Sequence, residues 1–213
     1  MALTPTLSRS AGEGGSVQDE KKHLRTLLRN HRRSLSPAEV IEKSRLIYER
    51  LRAFAPFQQA HTLILYSADE NEVQTEAIWQ EAVIQGKAVY YPRITADRTN
   101  LEFVRRYPGD RLIPSTFGIL IPPGNELLTG VQTSDVVLTP GVGYDLQGYR
   151  LGRGKGYYDR AFRGILAGAL RVALAYEFQV VRGIPSGPDD ALVHYVVTEL
   201  RLINCTTTDP FSF

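Results

Sequence analysis

A chain of 213 residues, 43% hydrophobic and 23% charged, has the length and balance of one soluble globular domain with a sizeable core. A net charge of +2 is too small to argue for a surface that holds nucleic acid or an anionic membrane. The single cysteine, Cys205, excludes an internal disulfide framework and a cysteine-based zinc site, and the four histidines fall at no ligand spacing.

Residues 1–16 are small and polar, lacking both an apolar signal core and an Arg-rich amphipathic pattern. They read as a disordered tail before an α/β domain at 17–213. No apolar run approaches a membrane span. Val17 to about Arg33 reads as a helix with Leu24, Leu27 and Leu28 on one face. Its other face carries Lys21, Lys22, Arg25, Arg29, Arg32 and Arg33, a pattern that by itself is usually a solvated face. Lys21 and Arg25, one turn apart, project on the same side.

Ser36-Pro37-Ala38-Glu39 is a capping box with proline at the first helical position. It opens a helix to about Phe54 whose buried stripe is Val40, Ser44, Ile47, Leu51 and Phe54. Thr62–Tyr66 is a short interior strand. A polar loop with Asp69, Glu70 and Glu72 follows, then a helix from Thr75 that Gly86 ends. Acids in such a loop also serve the dipole of the helix behind them. Lys87–Pro92 is the next strand, closed by its proline, and the βαβ order makes it parallel to the first. Leu101–Val104 alternates as an edge strand.

Val136–Leu138 is a buried strand that runs into Gly141, Gly143, Gly148, Gly152, Gly154 and Gly156, with Arg150, Arg153 and Lys155 among them. Tyr157 then opens a helix to about Ala167. A glycine loop with cations between a strand and a helix is an anion cradle suited to phosphate. It is neither the P-loop, because Gly156 follows Lys155, nor the dinucleotide fingerprint, because its glycines alternate too closely. A flexible charged surface loop is the bland alternative. Leu170–Tyr176 is a strand, Glu177–Gln179 its polar end, Pro185–Asp190 a turn-rich loop, and Tyr195–Val197 and Leu200–Ile203 are late strands. The whole predicts a single-domain open α/β fold, a mostly parallel sheet flanked by helices in a Rossmann-like three-layer arrangement.

Pro140-Gly141-Val142-Gly143-Tyr144-Asp145 and Gly148-x-Arg150-Leu151-Gly152-Arg153-Gly154-Lys155-Gly156-Tyr157-Tyr158-Asp159 closely resemble the signature of 5-formyltetrahydrofolate cyclo-ligases, also called 5,10-methenyltetrahydrofolate synthetases. The resemblance covers nearly everything from Lys21 to about Leu202. It implies ATP-dependent cyclisation of 5-formyltetrahydrofolate to 5,10-methenyltetrahydrofolate with release of ADP and phosphate. The γ-phosphoryl group passes to the formyl oxygen and makes it a leaving group, and N10 of the folate attacks the activated carbon. Catalysis is then mainly positioning and charge neutralisation. That agrees with a chain showing no Ser/His/Asp or Cys/His constellation.

The resemblance also assigns roles. Arg150, Arg153 and Lys155 neutralise the triphosphate, joined by Lys21 and Arg25, which match the family's Lys-x-x-x-Arg pair. Gly152, Gly154 and Gly156 supply amide donors, and Tyr157 and Tyr158 complete the nucleotide-facing set. Ser67 and Glu72, in a loop that resembles the family's Glu-Val-x-Thr segment, touch the folate. Arg153 to Tyr157 border it, Tyr157 beside the pterin, and the Phe117-Gly118-Ile119 loop adds shape. Asp159 binds Mg²⁺, and a second metal position falls on Asp190, with Asp189 adjacent. His194 stands where the family usually has an acid, which bears on the metal environment. Asp159 also has the ordinary reading of an acid in a helix's first turn.

The resemblance further implies a cytoplasmic monomer acting on small molecules, without nucleic-acid or membrane partners. Two other readings stand beside it. A paralogue could keep the phosphate loop and use another substrate or a regulatory role, and intact Lys21, Arg25, Glu72 and Asp159 argue against it. A nucleic-acid module would use the basic helix, and near-neutral charge argues against that.

Overall fold

The computed structural model describes residues 16–115, 118–187 and 190–206. Residues 1–15 of the expected tail at 1–16, Phe117 and the alternative metal ligand Asp189 lie outside them.

A seven-stranded sheet forms the centre, in the order β12-β11-β9-β6-β1-β2-β3. Its strands are β1 (Thr62–Ile64), β2 (Ala88–Ile94), β3 (Leu101–Arg105), β6 (Val136–Thr139), β9 (Leu170–Leu174), β11 (Tyr195–Val197) and β12 (Leu202–Asn204). The five inner strands are parallel; β3 and β12 run antiparallel at the edges. Helices cover both faces, because alternate residues of each inner strand are buried on opposite sides. Leu63, Leu65, Val136 and Leu138 pack against α2 (Pro37–Arg52), α3 (Ala55–Gln59) and α4 (Glu76–Ile84). Ile64 and Val137 face α5 (Tyr157–Arg163). The expected three-layer α/β fold is what the chain adopts.

Several boundaries differ from the expectation. β2 continues through Pro92, which pairs with Phe103, because its other neighbour β1 pairs no further than Ile64 with Tyr90. A proline at that point forfeits no ladder bond. α2 stops at Arg52, and Phe54 caps α3, which Pro56 helps to open as a separate turn. α5 ends at Arg163, where Gly164 leaves helical geometry. Glu177–Gln179 is a 3₁₀ turn, not a strand end: Gln179 accepts the Tyr176 amide and donates to the Gly141 and Val142 carbonyls, which closes the turn.

The glycine stretch is not one loop. Its first half is a hairpin, β7 (Gly143–Asp145) with β8 (Arg150–Leu151), joined by β10 (Val180–Val181) into a second small sheet. Helix α1 (Val17–Arg33) lies on that small sheet, its Leu24 and Leu28 against Val142, Leu151 and Ile184. Gly143 makes the docking feasible, since a β-carbon there would stand 2.6 Å from the Leu28 side chain. Leu27, expected on the apolar face, is 43% exposed. The buried stripe is Lys21, Leu24, Leu28 and Arg32, so the basic face is not a uniformly solvated one. Ser16, counted at sequence level with the tail, caps α1 in a reciprocal box with Asp19.

A second hairpin, β4 (Ile113–Pro114) with β5 (Leu120–Ile121), lies outside the central sheet. Among the described residues no helix is long and apolar enough to cross a membrane.

Candidate functional site

From β1 the chain moves outward one way to β2, and β6 later inserts on the other side of β1. The loops leaving the carboxyl ends of β1 and β6 therefore diverge, and such a switch point opens a crevice. Here a cleft of about 450 Å³ lies between the β1–α4 loop, the segment from Pro140 to Asp159, α1, and the walls formed by β2 and β3.

Of the residues expected at the site, Lys21, Arg25, Ser67, Glu72, Ile119, Arg150, Gly152, Arg153, Gly154, Lys155, Gly156, Tyr157, Tyr158, Asp159 and Asp190 line this cleft, and Gly118 does not. The charged ones come from four separate stretches of chain: α1, the β1–α4 loop, the segment 150–159 and Asp190. The glycines from Gly152 onward form the open part of the segment, and Gly156 starts α5 in the left-handed region at φ +65°. A β-carbon at that angle is disfavoured, which suits glycine.

The charges are mostly paired. Arg153 donates to Asp69 at 2.9 Å and to Glu72 at 3.0 Å. Arg150, on β8 and buried, donates to Asp159 at 3.0 Å. Lys21 donates to Asp190 at 2.6 Å. Arg25 reaches the Gly152 carbonyl at 2.9 Å. Lys155 is the exception: among the described residues its ammonium makes no hydrogen bond and no ion pair, and it stands exposed on the cleft rim.

Glu72 is buried deepest of the cleft carboxylates. Burial pushes its carboxyl above the usual range, while Arg153 and Arg32 pull the other way without winning. The loop that carries it is fastened at both ends. Tyr66 donates to the Val73 carbonyl at 2.9 Å and the Thr75 hydroxyl to the Tyr66 carbonyl at 2.6 Å. Ser67 donates to the Leu120 carbonyl, which ties the same loop to β5. Asp190 sits below the usual carboxylate range: burial opposes this, but the Lys21 ammonium and the Gly187 amide outweigh it. Burial raises the Tyr158 phenol, whose hydroxyl has no hydrogen-bond partner among the described residues.

Metal binding can be tested on the donor set. Among the described residues no three His, Cys, Asp or Glu side chains converge on a metal position. Asp159 and Asp190 do share one end of the cleft, since the Ala191 amide lies 3.5 Å from Asp159 Oδ1. One or two carboxylates with phosphate oxygens and water are what Mg²⁺ accepts, whereas a site made of protein alone would need more. His194 takes no part: its Nδ1 accepts the Arg171 amide.

Two groups of residues were missed at sequence level. Asp69 and Arg32 set the charge around Glu72, with Arg32 Nη1 3.4 Å from Glu72 Oε1 while the side chain is almost wholly buried. Its spacing from Leu24 and Leu28 places it on the buried stripe, a signal that was there to read. Pro92, Ile94 and Leu101 form an apolar wall that no motif marks, beside Ile119 of the expected loop. β-Strand and loop residues carry no sign of the ligand they will face.

Comparison with known proteins agrees with this geometry. The sequence model of the 5-formyltetrahydrofolate cyclo-ligase family matches residues 17–199. The 5-formyltetrahydrofolate cyclo-ligase of Mus musculus is 29% identical over 194 residues, covering 86% of this chain and 96% of its own. That of Mycolicibacterium smegmatis is 30% identical over 188 residues, covering 85% and 94%. The solution structure of Aquifex aeolicus 5,10-methenyltetrahydrofolate synthetase superimposes with a TM-score of 0.76 at 30% identity, covering 88% of this chain and 93% of that one.

Proposed function

This chain belongs to the 5-formyltetrahydrofolate cyclo-ligase family, and from that premise we propose that it converts 5-formyltetrahydrofolate to 5,10-methenyltetrahydrofolate in the cleft at the β1–β6 switch point, using ATP and releasing ADP and phosphate. The observation that carries this reading is the pairing, across one cleft, of a glycine-rich cationic segment with the buried Glu72 carboxylate. The first suits a triphosphate and the second a ring edge bearing N–H donors.

Among the described residues Lys155 and Arg25 form no ion pair with a carboxylate, so they hold charge in reserve for the triphosphate. Lys21, Arg150 and Arg153 exchange part of their pairing with Asp190, Asp159, Asp69 and Glu72 for phosphate oxygens. Backbone amides of Gly152, Gly154 and Gly156 add donors without desolvating further charge. Ser67, Glu72 and Tyr157 orient the folate, and the Pro92, Ile94 and Leu101 wall excludes water from its ring system. Asp159 and Asp190 are the residues that would hold Mg²⁺ on the nucleotide. Bound there, the ion neutralises phosphate charge. No side chain needs to form a covalent bond to substrate, because phosphate itself is the leaving group. We place the catalytic domain at 17–213 and the enzyme in the cytoplasm as a monomer; sedimentation as a dimer or recovery in an organelle fraction would correct these.

The test is the absorbance of purified protein with 5-formyltetrahydrofolate and Mg²⁺, with and without ATP. An ATP-dependent rise of the methenyl chromophore is expected. Nucleotide binding without that rise would assign the cleft to another substrate.

A further inference from the structure

We infer that Arg160 is a positioning residue for this reaction: its guanidinium clamps the glycine segment to the tip of the β2–β3 hairpin and so sets the width of the cleft. The inference rests on the reading of the cleft given above. Arg160 is the middle residue of α5, and its side chain folds back toward the start of the helix, the direction helical side chains favour. From there Nε donates to the Thr99 carbonyl at 2.9 Å and Nη1 to the Lys155 carbonyl at 3.1 Å. Its guanidinium carbon stands 5.1 Å from the centre of the Tyr157 ring. Among the described residues it pairs with no carboxylate, so its partners are two backbone carbonyls and one ring.

The hairpin tip is shaped to receive it. Arg98 adopts φ +59°, an angle that a residue with a β-carbon seldom holds. Its amide bonds the Thr95 carbonyl at 2.8 Å, and Asp97 accepts the Thr99 amide at 3.1 Å. The turn thereby presents two successive carbonyls to α5: that of Arg98 accepts Tyr157 Oη at 2.9 Å, and that of Thr99 accepts Arg160. Behind the tip, Ile94 and Leu101 enter the cleft wall, while Lys155 on the other side of the clamp carries the unpaired ammonium. One planar fork thus joins the wall that borders the folate to the segment that meets phosphate. A lysine would restore the charge but not two donors held at a fixed separation.

Arg160→Ala and Arg160→Lys are compared with the wild-type enzyme in three readouts: kinetics for each substrate, thermal unfolding, and tryptic cleavage after Arg98. Both variants should melt close to wild type, because the side chain holds two loop carbonyls and fills no part of the core. KM for both substrates should rise about tenfold in each, since a displacement on the order of an ångström at a reacting centre is enough. kcat should fall less, and cleavage after Arg98 should accelerate in both. Wild-type KM for ATP in Arg160→Lys would overturn the clamp in favour of a simple charge on the nucleotide. Unchanged kinetics and cleavage in Arg160→Ala would overturn it outright, as would loss of activity only in proportion to loss of folded protein. If the wild-type chain shows no ATP-dependent turnover, the proposed reaction fails instead, and the cleavage rates at Arg98 still decide the clamp.

Discussion

Lys155 and Arg153 are two residues apart, and the structure treats them differently. Arg153 is held by Asp69 and Glu72, whereas the Lys155 ammonium has no partner among the described residues. A cation left uncompensated beside flexible backbone is ready for an anion and contributes little to the fold. Lys155→Ala should therefore lower kcat/KM by at least about a hundredfold, the scale of losing one preorganised donor to developing charge. Its melting temperature should match wild type. Steady-state kinetics beside a thermal melt check both, and a near wild-type rate would remove Lys155 from the mechanism. Lys155 was legible in the sequence because its neighbours are local. That Asp69 and Glu72 would hold Arg153 was not, because they lie more than eighty residues away in the chain.

At the scale of elements, α1 shows how a basic helix becomes part of a site. Arg29 and Arg33 both donate to Glu70, and Arg32 Nε donates to the Glu70 carbonyl at 3.0 Å. Asn71 in turn holds the helix end, its Nδ2 donating to the Arg32 and Leu35 carbonyls. α1 is thus fastened to the loop that carries Glu72. Burial works against ionised Glu70, yet the Arg33 and Arg29 hydrogen bonds hold its carboxyl down at about 2. The sign follows from linkage: a carboxylate with a lowered folded pKa adds stability above its ordinary range and loses it as pH falls through the folded value. The docking of α1 should weaken from about pH 4.5 toward 2. Glu70→Gln should be less stable at neutral pH and should flatten that acid dependence, measured as the urea midpoint against pH. Equal slopes for variant and wild type would clear Glu70 of the role. Individual surface pairs are weak, so any effect must come from three arginines, Arg29, Arg32 and Arg33, sharing one carboxylate.

For the whole molecule, the strand order decides where the cleft lies, and the second sheet decides what closes it. β7 and β8 lift the glycine segment off the central sheet and give α1 a surface to lie on. The first described element is α1, which Ser16 caps. Deleting residues 1–15 should leave melting temperature and turnover unchanged, whereas deletion through Ser16 should cost about 1 kcal/mol, the usual worth of such a cap. Unfolding curves of the two truncations separate these outcomes. A large loss of activity from the shorter deletion would show that the segment takes part in the reaction.

Sequence alone determined the elements that depend on near neighbours. The capping box at Ser36, the βαβ order from Thr62 to Tyr91 and the glycine-cation spacing from Gly152 to Gly156 each express local sterics or helical period. Only the tertiary structure decided the rest. It buried Arg32, split the glycine stretch into a hairpin and a cradle, carried β2 through Pro92, and matched Lys21, Arg150 and Arg153 to their acids. Those outcomes turn on which distant segment arrives as a neighbour, and a side chain's partner across a cleft leaves no periodic trace in its own stretch of chain.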